Sequence, residues 1–370
     1  MNKYTINWIG PVFAELGYCR HNRQMILALE RQNVKINLMI TDDPSKNTYY
    51  NFAVKRVNKN PPKHLINVFC TPAPSMYPTG GYSILFTTIE SRDLHPVIIH
   101  RAKCFDEIWV PCEYNRRAFL RAGFKKTFVI HEGIDEKRWR ALKVTLDNKF
   151  RFVCLADWSE RKGVHELVKA FNIAFRNIQD VCLIFLTRKA SNVGKSYTRR
   201  IKKEALDAAN EVGGSLEKIE FFTETLTDSQ IHHIFSYCDC FVLPTKGEAW
   251  CLPAEEAMAT GLPCILPKVG GQREFANNKT GWLTSGTWKQ MSKSDVEFYN
   301  GQYFYHPDIK DLVKKMQYAY DHKEECERKG VYASKLVKTK FNWDVAAKQA
   351  VKRITEIYAK GYDPRTKGVL

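Results

Sequence analysis

Short apolar runs alternate along this chain with longer segments whose apolar residues recur every three or four positions. That alternation predicts repeated strand-helix units and parallel sheets. Residues 4–9 read as a first strand, 10–17 as a loop carrying Gly10, Pro11 and Gly17, and 21–32 as a helix with Met25, Ile26, Leu27 and Leu29. A second strand at 34–39 completes a βαβ opening. Its loop lacks Gly-x-Gly-x-x-Gly, so a dinucleotide site is poorly supported. Strands are expected at 65–69 and 84–88, then the run DEIWVP at 106–111, a helix near 114–122 and FVIHEGID at 128–135. Residues 71–82, TPAPSMYPTGGY, form a proline- and glycine-rich surface loop. The basic stretch 136–148 reads as a linker.

Beyond it the pattern restarts. A strand at 150–155, the loop ADWSERKG at 156–163 and a helix at 164–175 follow one another, the helix with Leu167, Val168, Ala170 and Phe171 on one face. Strands at 181–186 and 219–222 and helices at 195–211 and 228–235 come next. Residues 284–306 are polar and aromatic and predict no element. Three helices are expected at 312–320, 322–337 and 343–358.

The most informative stretch is 241–283, FVLPTKGEAWCLPAEEAMATGLPCILPKVGGQREFANNKTGWL. It reads as a buried strand, a loop with Gly247 and Glu248, a helix opened by Pro253 and stopped by Gly261, a second strand, and a Gly270-Gly271 loop. A loop and helix after a parallel strand present free N–H groups and a positive dipole end at the strand's carboxyl edge, where ligands of open α/β sheets bind. Glu248 in the loop and Glu256 one turn into the helix are spaced to line one site. A carboxylate accepts two sugar hydroxyls at once. From spacing alone, both acids read equally well as solvated surface groups.

This stretch resembles the donor-binding signature of glycosyltransferase family 4, the large retaining class with the GT-B fold. That family has two glutamates separated by seven residues, then small apolar residues; here these are Glu248 and Glu256, followed by Ala-Met-Ala-Thr-Gly-Leu-Pro. Its next block matches Gly270, Gly271, Glu274, Asn277, Asn278 and Gly281. The run from DEIWVP to Gly133-Ile134-Asp135 is similar to the one closing the family's first domain, with Cys112 in place of a serine. Gly17 and Tyr18 match its first glycine-bearing loop. Lys162-Gly163 matches a Lys-Gly whose cation meets the donor's pyrophosphate, although the bland reading is a helix N-terminal turn. The family's arginine five residues earlier is Asp157 here, a charge reversal; Arg161 and Arg273 are the candidates for the second cation.

The resemblance implies an α/β GT-B fold, two Rossmann-like β/α/β domains with a cleft between them. The expected domains are an acceptor-side unit at 1–145, a donor unit at 146–342 and a C-terminal helix at 343–370 packing back on the first. It implies transfer of a hexose from a UDP- or GDP-linked sugar to a hydroxyl with retention. Glu248 and Lys162 are the candidate catalytic residues. Donor contacts are expected from Glu256, Glu248, Lys162, Arg161, Trp250, Cys251, Leu252 and Gly17. Neither a prosthetic group nor a metal is expected, and 71–82 is a candidate acceptor loop. An epimerase or phosphorylase on the same fold is the enzymatic rival, though a pyridoxal-type phosphorylase needs a much longer chain.

Composition narrows the partners. The 370 residues are too many for one core. The eleven cysteines, an odd number with no Cys-x-x-Cys, read as buried reduced thiols of a cytoplasmic protein. No apolar run reaches membrane-spanning length, and the N-terminus reads as a strand instead of a secretory signal. The formal charge of +17 suggests a polyanion, either an anionic membrane to which the enzyme is peripheral or DNA. The clusters are Arg116, Arg117, Arg121, Lys125 and Lys126; Lys137, Arg138, Arg140 and Lys143; and Lys195, Arg199, Arg200, Lys202 and Lys203. The acceptor is thus expected to be a lipid-linked or envelope glycan, or alternatively hydroxylated bases in DNA. A non-catalytic basic nucleic-acid-binding protein is the reading from another class.

Overall fold

The computed structural model describes residues 4–14, 17–43, 50–71, 77–78, 80–187, 195–291, 296–360, 362–363 and 368–369. Half of the candidate acceptor loop at 71–82, residues 72–76 and 79, lies outside them. The chain forms two units, one of Met1–Gly133, Ser292–Gln302 and Phe341–Leu370, the other of Ile134–Met291 and Tyr303–Lys340.

The first unit begins with β1 (Tyr4–Gly10), α1 (Gly17–Arg31), β2 (Val34–Ile40), α2 (Tyr50–Val54) and β3 (Ile66–Cys70). It continues through β4 (Ser83–Phe86), α3 (Pro96–Ala102), β5 (Glu107–Val110), α4 (Glu113–Arg121) and β6 (Thr127–Val129). All six strands are parallel, in the order β2-β1-β3-β4-β5-β6. Asn7 lies opposite Asn37 on one side and Asn67 on the other. Their buried amides form a ladder, Asn37 Nδ2 to Asn7 Oδ1 at 3.0 Å and Asn7 Nδ2 to Asn67 Oδ1 at 2.8 Å. A one-residue slip of any strand breaks the ladder, so it specifies register. Helix α1 starts four residues earlier than the apolar pattern indicated. The Asp42 carboxylate accepts the Val12, Phe13 and Ala14 N–H groups at 2.8, 2.6 and 3.2 Å and so fixes the loop leading into it.

The second unit carries β7 (Phe150–Leu155), α5 (Val164–Ala174), β8 (Val181–Leu186), α6 (Lys195–Asn210), β9 (Ile219–Phe222) and α7 (Asp228–Ser236). Then come β10 (Cys240–Val242), α8 (Leu252–Thr260), β11 (Cys264–Pro267) and β12 (Gly281–Thr284). These strands are also parallel, in the order β12-β11-β10-β7-β8-β9. Both sheets are therefore Rossmann-like. The unit is completed by a hairpin, β13 (Gly286–Gln290) and β14 (Tyr303–Pro307), and by α9 (Ile309–Asp321) and α10 (Lys323–Lys340). The hairpin occupies the region that predicted no element; Trp288 packs edge-on against Tyr305, its cross-strand partner.

The basic stretch at 136–148 is not a free linker. Trp139 is buried beside Phe235, and the Leu142 and Val144 N–H groups bond to Thr260 and Ser236 carbonyls. Lys143 Nζ reaches Asp239 at 2.7 Å. This stretch thus belongs to the second unit, where its charges are partly spent on internal pairs. The last helix, α11 (Trp343–Ala359), belongs to the first unit and packs on α1. All eleven cysteines are free, and only Cys104 is exposed. Among the described residues no helix is long and apolar enough to cross a membrane.

Candidate functional site

The chain after β10 turns sharply at Pro244 and runs through Thr245 to Cys251 into α8. Every residue of this loop is buried. Burial of so polar a loop requires internal partners, and they are specific. Gly247 and Glu248 sit over a 3-10 turn, Glu160–Lys162, that follows β7. Gly163 closes that turn at φ +69°, and a Cβ there would lie 2.1 Å from the Pro244 carbonyl oxygen. Only glycine permits this approach of turn to loop. On the other side the Gly271 N–H bonds to Glu248 O at 2.9 Å, and a Cβ on Gly271 would collide with Ala249 O. The two glycine motifs are thus packing requirements of the Glu248 loop.

Glu248 is the electrostatic centre. Its Oε1 accepts from Lys162 Nζ at 2.5 Å, Arg161 Nη1 at 3.2 Å and Thr245 Oγ1 at 3.1 Å. Burial opposes ionisation of this carboxyl, but the charges of Lys162 and Arg161 outweigh it and hold it below the usual carboxylate range. Arg161 also donates to Gly247 O at 2.6 Å. Asp157, by contrast, is exposed. Arg161 is thus the cation that shares Glu248 with Lys162. Arg273, the other candidate, donates instead to Ala276 O in its own turn.

Cys251 adopts φ +86°, ψ +63°, the left-handed region that costs a residue with a side chain about 1–2 kcal/mol. Its carbonyl accepts the Ala254 and Glu255 N–H groups, so the strained residue launches α8. Burial pushes its thiol pKa up. Leu252 and Pro253 form the first turn, and Glu256 lies one turn in, buried. Trp250 is buried with its indole N–H on Glu255 Oε2 at 2.8 Å, which ties the loop to the helix. Six of the expected donor-site residues besides Glu248 thus map to one unit: Arg161, Lys162, Trp250, Cys251, Leu252 and Glu256. Gly17 belongs to the other unit, at the first residue of α1, with open space where a Cβ would stand.

The sequence pattern does not single out Lys246. Its side chain is 3% exposed, and Nζ pairs with Glu166 Oε1 at 2.9 Å and Glu160 Oε1 at 3.2 Å. Its N–H bonds to Arg161 O at 2.6 Å, and its carbonyl accepts Tyr305 N–H of β14 at 2.8 Å. One residue therefore joins the loop, the cationic turn, α5 and the hairpin. The signal available was a lysine two positions before Glu248 and two acids flanking Lys162, which is too common a pattern to single out. Lys246→Met should destabilise the second unit by about 1–3 kcal/mol, because Glu166 loses its cation while still half-buried. Adding Glu166→Gln should recover most of that loss in urea unfolding; no recovery would assign the effect to packing.

Comparison with known proteins agrees with this geometry. Residues 135–336 match the family model for glycosyl transferases group 1. A putative glycosyltransferase 45 of Sulfolobus islandicus filamentous virus is 21% identical over 285 residues, 74% of this chain and 74% of that protein. Among solved structures, Anabaena Alr3699/HepE in complex with UDP and glucose superposes with a TM-score of 0.67 at 14% identity, covering 95% of this chain and 99% of that one. Sucrose-phosphate synthase of Thermosynechococcus elongatus gives 0.68 at 16% identity, covering 96% and 100%. These structural likenesses establish the fold, and the family model covers more than half of the chain. This protein is a GT-B glycosyltransferase and belongs to the glycosyl transferases group 1 family.

Proposed function

We propose that the enzyme is a retaining hexosyltransferase of the family 4 type, using a UDP- or GDP-linked sugar held by its second unit. The observation that carries this reading is Glu248 gripped by Lys162 and Arg161 in the loop that leads into α8, the helix in which Glu256 is buried. In transfer, the bond from the sugar's anomeric carbon to the diphosphate breaks. A new bond to the acceptor oxygen forms on the same face, and the acceptor proton passes to the leaving phosphate oxygen. No protein base is then needed. The chain's task is to stabilise charge growing on the diphosphate, a role this reading gives to Lys162 and Arg161. Arg161 makes good the charge lost where Asp157 stands. Glu248 faces the sugar hydroxyls and Glu256 the ribose. The reading is supported by the related Anabaena structure, which contains UDP and glucose.

The acceptor is proposed to be a lipid-linked or envelope glycan, met at the cytoplasmic face of an anionic membrane. Incubation with a panel of nucleotide-sugars, with mass detection of transferred or hydrolysed sugar, tests the donor. Stabilisation by UDP or GDP in a melting experiment identifies the base; absence of both effects across the panel overturns the reading. Glu256→Ala should weaken nucleotide binding by about 1.5–3 kcal/mol, the loss of charge-assisted hydrogen bonds. Calorimetric titration of the folded variant reads it, and unchanged affinity rules out the ribose role.

A further inference from the structure

Each of the three basic clusters holds both ion-paired and unpaired cations. In the first unit Arg116 and Arg117 pair with Glu113, and Arg121 pairs with Asp93. In the stretch after residue 133, Arg138 pairs with Asp228 and Lys143 with Asp239. Lys125, Lys126, Lys137 and Arg140 are exposed and their side chains unpaired among the described residues. On α6, Arg200 lies 3.8 Å from Glu204 and over the Tyr197 ring, but Lys195, Arg199, Lys202 and Lys203, four cations of one helix, are all exposed and among the described residues make no side-chain hydrogen bond or ion pair.

Their arrangement is regular. Arg199, Lys202, Lys203 and Leu206 follow i, i+3, i+4, i+7 spacing and share one face. Tyr197, Ile201, Ala205 and Ala208 are buried on the other. The charges also run against the helix dipole. The first turn has no acid and begins with Lys195, whereas Glu204, Asp207 and Glu211 gather at the carboxyl end. Cations at an N-terminus and acids at a C-terminus both cost stability, so this order is not explained by the helix itself.

An apolar component adjoins the cations. Leu206 is 43% exposed. Lys202 stands at the rim of an open groove of about 390 Å³ against the edge strand β9, lined by Leu216, Ile219, Phe221 and Phe222 and by one acid, the exposed Glu220. A row of four cations, against a single acid in the adjoining groove, with an exposed aliphatic side chain and aromatic groups beside it matches an anionic bilayer surface. The ammonium and guanidinium heads meet phosphates while the apolar groups enter the headgroup boundary. We propose that the exposed face of α6, with the β9 groove, is the surface by which this enzyme docks on anionic lipid. The proposal builds on the membrane-presented acceptor suggested above, but binding is measured without turnover.

The experiment uses the full chain with vesicles of phosphatidylcholine alone or mixed with phosphatidylglycerol, set beside duplex DNA at matched salt. The wild type should co-sediment only with the anionic vesicles, less so as salt rises. Arg199→Gln/Lys202→Gln/Lys203→Gln should lower that partitioning by about 100-fold, roughly fivefold per charge. Arg116→Gln/Arg117→Gln/Arg121→Gln should change it little. Leu206→Asp should weaken vesicle binding and leave any DNA binding alone. A retained melting shift with UDP or GDP shows that the α6 variant is folded. The proposal is overturned if the wild type ignores anionic vesicles, if the α6 variant binds like wild type, or if both triple variants lose binding equally. Tighter binding to DNA than to vesicles overturns it as well. A failure to find sugar transfer leaves the vesicle result standing, so the two readings fail separately.

Discussion

Lys162→Ala is expected to lower turnover by about 10²–10³-fold, the scale seen when one preorganised group facing a developing charge is removed. The structure adds a second consequence. Lys162 is itself buried, 8% exposed, and its ammonium is the shortest contact of Glu248. Its removal leaves Arg161 as the one remaining cation on that carboxylate. Arg161 is then drawn to Glu248 and is less free to meet the diphosphate. Affinity for inorganic pyrophosphate should therefore fall far more than affinity for the nucleoside. Glu248→Gln should behave differently: both cations are released from their carboxylate, so pyrophosphate binding holds or rises while turnover falls. Parallel loss of nucleoside and pyrophosphate affinity in Lys162→Ala would make the turn structural. Acid should mimic part of this. The Glu248 carboxyl is held below its ordinary range, so its ion pairs contribute stability above the unfolded-state value. That contribution is lost as pH falls through the lower folded value.

The parts of this molecule legible in the sequence were those where one local signal sufficed. Buried parallel strands read as apolar runs because both faces are covered, and β7, β8 and β9 match their expected bounds. Pro253 and Gly261 marked α8 to within one residue. What escaped depended on contacts distant in sequence. The hairpin of β13 and β14 shows no clean alternation, since Trp288 and Tyr305 pack on each other while the exposed positions are also polar or aromatic. The stretch at 136–148 looked like a linker because its anchors are backbone bonds and one buried Trp139. Lys246 was invisible because its acids lie 80 and more positions away. The basic clusters were legible as sequence runs, but which of their cations are ion-paired was not, since partners such as Asp93, Asp228 and Asp239 lie far away in the sequence.

Arg353→Ala should destabilise the first unit by about 3–5 kcal/mol, the cost of stripping one partner from a buried ion pair. Arg353 stands on α11 and reaches Glu107 of β5 through Nε and Nη2, the latter at 2.7 Å. Glu107 is 1% exposed and also accepts the Trp109 indole N–H at 2.6 Å and the Tyr82 hydroxyl at 3.0 Å. The guanidinium lies 3.7 Å from the Phe128 ring centre. Without it the carboxylate, buried at the start of β5, keeps two neutral donors and no counter-charge. The effect should reach beyond this pair, because the same helix holds the end of the first unit's opening segment. Gln349 Oε1 accepts the His131 N–H at 2.9 Å, and Asn342-Trp343 packs so tightly on Gly133 that a Cβ there would lie 2.5 Å from the Trp343 nitrogen. Unfolding must be followed unit by unit, since a two-domain chain need not melt in one step. Trp8 and Trp109 report the first unit, and nucleotide-induced stabilisation reports the second. The expected result is a lowered first transition with the nucleotide response intact at low denaturant. A double variant, Arg353→Met with Glu107→Gln, should recover part of the loss, since neither charge then remains buried. If Arg353→Ala costs less than about 1 kcal/mol, the range of exposed pairs, the pair does not anchor α11.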